Sequence, residues 1–216
     1  MMKILISGFE PFGGSTINPT EQLIRSIQRE SIPGVEIRTV LLPVYFDDCV
    51  DLLVKEIENF GPDAVISCGL AGGRRDITPE RIAVNLKDIA PDAPYPDNKG
   101  AKPQDMPINP DGPDGLMTKL PIRKMVNRLK EQGIPASISY TAGTFICNNT
   151  MYGILDYIRR KDVPVMAGFV HFPASAEMAD EHPDWPTLPQ ETLLQGLRVI
   201  VQTTVDELQH MSKGTP

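Results

Sequence analysis

Three cysteines and three histidines are the side chains of this sequence best suited to nucleophilic and acid–base chemistry, and their positions separate them. Cys147 follows the small-residue turn Thr141-Ala142-Gly143-Thr144 and stands where a helix begins. A thiol at a helix N-terminus meets the positive end of the helix dipole, which favours the thiolate. The same free amides could stabilise an oxyanion during acyl transfer. His171 ends an apolar strand at the same predicted sheet edge, where a base for Cys147 would have to sit. Both residues also admit a purely structural reading, since free cysteines are common in cores and a strand-end histidine can be satisfied by its neighbours. Cys49 lies beside Val50 and Leu53 in an amphipathic stretch, and Cys68 runs into Gly69, so both read as core. His182, in a proline-rich loop, and His210, in a last helical turn, read as surface residues.

Other chemistries find little support. No pair of His, Cys or carboxylate residues has metal-ligand spacing such as Cys-x-x-Cys or His-x-x-x-His, so no metal is expected. Gly8 to Ser15 has the glycine spacing of a phosphate loop, but Gly14 occupies the place of the essential lysine. Gly69 to Arg74 lacks dinucleotide spacing and leads into a proline and a strand rather than a helix. Tight turns are the simpler use of these glycines. What remains is a metal-free covalent mechanism.

The candidate residues need a scaffold, and the hydrophobic pattern supplies one. Strands are predicted at Lys3 to Phe9, Val35 to Leu42, Ala64 to Cys68, Arg81 to Leu86, Ala136 to Tyr140 and Val163 to His171. Helices are predicted from Pro19, capped by Asn18, over Phe46 to Phe60, Pro121 to Gln132, about Cys147 to Arg160, and about Pro189 to Met211. Such alternation implies a largely parallel sheet covered by helices on both faces, with ligands bound beyond the carboxyl ends of the strands. Gly8-Phe9, Cys68-Gly69, Thr141 to Cys147 and His171 should therefore converge. Periodicity vanishes from Lys87 to Gly115, where Pro91 to Gly115 alone holds seven prolines and three glycines. A loop of that length is expected to be either functional, as a flap or intersubunit element, or disordered.

With 216 residues, 41% apolar and 23% charged, the chain is expected to form one domain over residues 1–216. A net charge of -7 without a basic cluster argues against nucleic acid as a partner. No segment reaches the ~20 apolar residues of a membrane helix, and Met1 to Phe9 reads as a strand rather than a signal peptide. An odd number of cysteines fits a reducing compartment, so a cytoplasmic location is expected.

Six segments in order along nearly the whole chain resemble the pyroglutamyl peptidase I (pyrrolidone-carboxylate peptidase) family of cysteine peptidases. They are Gly8 to Gly14 with Asn18-Pro19, Gly69 to Arg74, Ile77 to Asn85, Pro96-Asp97-Asn98, Tyr140 to Asn148, and Gly168 to Pro173. The resemblance implies a three-layer αβα sandwich. It also implies hydrolysis of the amide bond after an N-terminal pyroglutamyl residue through a thioester, without a cofactor. Cys147 would be the nucleophile, His171 the base and then acid, and Glu80 the carboxylate supporting the imidazolium. Phe9, Phe12, Val44, Phe145 and Ile146 would form the pyroglutamate pocket, with Asn18 and Leu70 beside it, and a homotetramer would be usual. Leu70 stands where many relatives carry Gln, and Ile89 to Tyr95 contains no Arg where many relatives have one assisting the oxyanion. The residue pattern by itself leaves two other readings open: a phosphate-using nucleoside phosphorylase-like enzyme, and a catalytically silent small-molecule binding protein.

Overall fold

The computed structural model describes residues 1–213; residues 214–216 of the expected domain lie outside the described residues. The first half runs β1 (Met2–Phe9), α1 (Pro19–Ile27), β2 (Val35–Leu42), α2 (Asp48–Phe60), β3 (Ala64–Leu70), β4 (Thr78–Pro79) and β5 (Ile82–Val84). The second runs β6 (Gly115–Met117), α3 (Ile122–Glu131), α4 (Ile146–Lys161), β7 (Met166–Phe172), β8 (Ala174–Ser175), β9 (Thr187–Leu188) and α5 (Gln190–Lys213). The central sheet has the order β2-β1-β3-β7-β4, with only β4 antiparallel to its neighbour.

Strands β1, β3 and β7 are apolar almost throughout because both of their faces are covered. Ile4, Ile6 and Ile66 pack with α1, α3 and α5 on one side. Leu5, Val65, Ala167 and Phe169 pack with α2 and α4 on the other. The result is the expected αβα sandwich. At the carboxyl end of β1, a Cβ on Gly8 would lie 2.5 Å from the Thr20 carbonyl oxygen, so glycine is what lets the strand run beneath the start of α1. Asn18 caps that helix through the Thr20 amide, and the Thr20 hydroxyl accepts the Phe9 N–H. These bonds fix the Phe9 to Asn18 loop against the sheet edge.

Several expected boundaries shift. Arg81 to Leu86 is not a sheet strand; its core, β5, pairs with β6 in a separate antiparallel ribbon. The edge strand is instead the two-residue β4, too short to show periodicity. Ala136 to Tyr140 makes only isolated parallel bridges to Ile77 and Glu80. Pro79 has no N–H to give, so the ladder along this segment is broken at its middle. Helix α2 begins at Asp48 rather than Phe46, and α4 at Ile146 rather than Cys147.

The loop between β5 and β6 is anchored rather than free. The Asn98 N–H donates to the Val44 carbonyl, and its side chain donates to Glu10 Oε1 and the Pro11 carbonyl. Asp97 accepts the amides of Lys99 and Ala101. The Pro-Asp-Asn element thus ties this loop to the loop after β1.

Candidate active site

Glu80 follows β4, and its N–H donates to the Phe169 carbonyl. This carries its side chain to β7, where His171 Nδ1 lies 2.6 Å from Glu80 Oε1. Both side chains are buried, Glu80 completely. Arg74, at the end of the glycine-rich loop, places Nη1 2.6 Å from the same carboxylate oxygen and 2.6 Å from Thr78 Oγ1, while Nη2 reaches the Thr141 carbonyl at 3.0 Å. Burial works against a charged Glu80, but the hydrogen bonds and charge of His171, with Ser139 and Arg74, outweigh it and hold the carboxyl below its ordinary range. For His171 burial dominates: the imidazole is held below the usual histidine range, with Glu80 pulling it up and Arg74 adding to the depression. That direction favours the neutral ring.

Cys147 is the second residue of α4. The first helical bond runs from the Asn149 N–H to the Phe145 carbonyl, and no side chain caps the helix. The amides of Ile146 and Cys147 therefore have no partner within the helix. In the parallel register Gly69 of β3 faces His171 of β7. A Cβ on Gly69 would lie 2.9 Å from Cys147 Sγ and 2.7 Å from the Phe169 ring. The thiol thus rests on a glycine whose strand partner is the imidazole. Sγ makes no hydrogen bond to that ring among the described residues. Burial, then the Glu80 charge, push the thiol up to about 12, against weaker pulls from Arg74 and the residue's own N–H. This reverses the low thiol pKa expected from the helix dipole: desolvation of a half-buried sulfur near a carboxylate is the larger effect. Both shifts favour a thiol and a neutral imidazole over an ion pair.

Gly69→Ala is expected to displace the sulfur or Phe169. A displacement of ~1 Å at a reacting group can cost on the order of 10²-fold in rate. Overpacking should meanwhile cost about 1–3 kcal/mol of stability. Turnover and thermal unfolding of the same variant distinguish a misplaced thiol from a lost fold.

Phe9, Phe12, Asn18, Val44, Leu70, Phe145 and Ile146 line one narrow pocket that ends on Cys147. Phe12 and Phe145 face each other at 6.1 Å between ring centres. The pocket is apolar except for Asn18, whose Oδ1 accepts from Thr20 and whose Nδ2 donates to the Glu10 carbonyl. All seven expected pocket residues thus meet at one wall. Cys49 and Cys68 are fully buried elsewhere, and burial pushes Cys49 up to about 11 and Cys68 higher still. His210 is exposed as expected. His182 is not a free surface residue: it stacks on Trp185 at 3.7 Å and meets Ser15 Oγ at 2.7 Å.

The glycine loops serve close packing. A Cβ on Gly72 would strike the Trp185 ring at 2.3 Å, and Gly13 has φ +63° beneath the Tyr95 ring. Neither loop has a phosphate-binding lysine. Among the described residues no three His, Cys, Asp or Glu side chains are placed so that they could hold a metal ion together. The role of Arg74 beside Glu80 is not marked in the sequence: it lies only six residues upstream, but no local pattern shows that the two side chains meet.

An open αβα sheet with a thiol at a helix start, a strand-end imidazole beside it and a buried carboxylate behind the imidazole defines a cysteine hydrolase. A family profile described as pyroglutamyl peptidase matches residues 2–207. The chain is 41% identical over 207 residues to a pyrrolidone-carboxylate peptidase of Brevibacillus brevis, covering 95% of this chain and 94% of the relative. It is 38% identical over 204 residues to pyrrolidone-carboxylate peptidase 1 of Caldanaerobacter subterraneus, covering 94% and 98%. Among solved structures, pyrrolidone carboxyl peptidase of Thermococcus litoralis aligns with a TM-score of 0.91 at 36% identity, covering 97% of this chain and 96% of that one. Pyroglutamyl peptidase I of Bacillus amyloliquefaciens aligns with a TM-score of 0.89 at 35% identity, covering 94% and 97%. The chain belongs to the pyroglutamyl peptidase family.

Proposed function

We propose that Cys147, His171 and Glu80 hydrolyse the amide bond that follows an N-terminal pyroglutamyl residue of a peptide. The observation that carries this assignment is the 2.6 Å contact of His171 Nδ1 with the buried Glu80 carboxylate, on the strand flanking the glycine under Cys147 Sγ. The Nδ1 contact leaves Nε2 as the acceptor for the thiol proton. As Nε2 takes it, Sγ bonds to the pyroglutamyl carbonyl carbon, and the free amides at the start of α4 receive the developing oxyanion. The intermediate collapses to a thioester as the C–N bond breaks, and the imidazolium protonates the leaving amine. A water then gives a proton to Nε2 and attacks the thioester, and Sγ leaves as the thiol. Glu80 supports the imidazolium at each stage.

Phe9, Phe12, Val44, Leu70, Phe145 and Ile146 would enclose the ring, and the second hydrogen of Asn18 Nδ2 is available to the lactam. This chain is further proposed to act as one peptidase domain, in the cytoplasm, as a homotetramer, without nucleic-acid or membrane partners. Exposed Met117 and Tyr140 offer apolar surface for assembly. No helix among the described residues is long and apolar enough to cross a membrane.

A chromogenic pyroglutamyl amide tests the assignment. Amine release that iodoacetamide abolishes and that needs no added phosphate is expected; no release, or release that survives complete alkylation of Cys147, would overturn it. The pH dependence follows from the imidazole. A base held below the ordinary value of 6.5 stays neutral as the pH falls through 6.5. The acid limb of kcat/KM, which reports the free enzyme, should therefore lie below 6.5. Arg74→Met removes a charge that depresses His171, so the limb should move to higher pH. An unmoved limb would show that Arg74 only braces the loop.

A further inference from the structure

A second, roomier apolar pocket opens on Phe12 and Phe145, the ring pair that also walls the proposed pyroglutamate pocket. Its other wall is the Ile89 to Tyr95 stretch, through Ile89, Ala90, Ala93, Pro94 and Tyr95. We propose that this pocket binds the side chain of the residue that follows pyroglutamate, and that it selects apolar over small or acidic side chains there. The inference rests on the catalytic assignment above.

Placement comes from the chain itself. The Asp88 N–H donates to the Thr144 carbonyl, and Thr144 Oγ1 donates back to the Asp88 carbonyl at 2.7 Å. The wall is thus bonded to the turn that ends in Cys147, three residues on. Phe145, next to Thr144, belongs to both pockets. A substrate whose ring fills the first pocket, and whose carbonyl meets Sγ and the α4 amides, has its leaving residue emerging beside Phe145.

The wall is held in shape independently of any ligand. The Ala93 N–H donates to the Ala90 carbonyl and the Ile89 N–H to the Pro103 carbonyl. Lys102 Nζ donates to the carbonyls of Pro91 and Ala93. The Tyr95 ring lies over Gly13, where a Cβ would come within 3.2 Å. Asp88 is the charged lining residue, and no Lys or Arg lines the pocket. An acidic side chain would therefore meet like charge, while Leu or Phe would leave water for an aromatic and aliphatic surface.

The test compares kcat/KM for pyroglutamyl-Leu, pyroglutamyl-Gly and pyroglutamyl-Asp amides on the intact enzyme, and repeats it on Ala93→Phe and Tyr95→Ser. Discrimination between side chains in an apolar pocket is on the order of 10-fold or more. Leu should exceed Gly by about that factor, with Asp lowest. Ala93→Phe, which fills the pocket, and Tyr95→Ser, which removes its aromatic wall, should each bring the Leu-to-Gly ratio towards one. Equal values for Leu and Gly in the wild type, or a ratio unchanged in both variants, would overturn the proposal. Turnover of the Gly substrate in the wild type keeps these outcomes separate from failure of the catalytic assignment.

Discussion

Cys147→Ala is expected to lower kcat by about 10⁴-fold or more, the scale on which loss of a covalent nucleophile is felt when base and oxyanion donors remain. Neither of the other thiols can take its place. Cys68 is fully buried with its thiol pushed far up by desolvation, and Cys49 is buried against Phe46, Asn149 and Thr150. A substrate carbonyl reaches neither. Cys49→Ala and Cys68→Ala should keep turnover within a few-fold and lose about 1 kcal/mol of stability each, through lost packing. Steady-state rates and thermal unfolding on the three variants check this. A Cys147 variant that retains activity, or a Cys49 or Cys68 variant that is folded but inactive, would refute the assignment.

Much of this arrangement was legible in the sequence because the elements that position it are long and apolar. Continuous hydrophobic runs identified β1, β3 and β7, and their alternation with helices implied a parallel sheet whose carboxyl ends gather Phe9, Gly69, Cys147 and His171. Glu80 was legible only through resemblance. It lies beside a two-residue strand interrupted by a proline, and nothing local singles it out among the 28 acidic residues. Arg74 was hidden for a related reason: Thr78 and Glu80 follow it by four and six residues, but the turn that folds its side chain back onto them, and onto the remote Thr141 carbonyl, leaves no periodic pattern.

The thiol pKa could not be read correctly from local structure. The helix start was visible, and its dipole does favour a thiolate by a few tenths to about 1 kcal/mol at an exposed site. Desolvation and the charge of Glu80 are tertiary effects, and here they win. In the proposed mechanism both shifts favour a resting thiol, whose proton would pass to His171 as the sulfur attacks.

Rejection of prolyl peptides should be the other large effect. Proline shares the five-membered ring of pyroglutamate but carries a secondary ammonium at neutral pH and lacks the lactam oxygen. The pocket formed by Phe9, Phe12, Val44, Leu70, Phe145 and Ile146 has no carboxylate among its lining residues. The Glu10 carboxylate is committed to the Val44 N–H at 3.2 Å and to Asn98 Nδ2 at 2.8 Å. Bringing a cation into such a site without a partner costs several kcal/mol, roughly what separates a group in water from one in an apolar interior. Asn18 Nδ2, proposed above to meet the lactam oxygen, would also be left without that partner, and sites built on such hydrogen bonds reject analogues by roughly 10⁴-fold or more. Leu70 works the other way, because it supplies no side-chain amide and would leave the proposed recognition to Asn18 and the backbone. The expected result is therefore a kcat/KM for a pyroglutamyl amide about 10⁴-fold above that for the matched prolyl amide. The gap should narrow above the pKa of the prolyl amine, where the neutral form no longer carries the charge that the pocket excludes. Comparable values for the two substrates at neutral pH would show that apolarity and size, rather than charge and the lactam, govern entry.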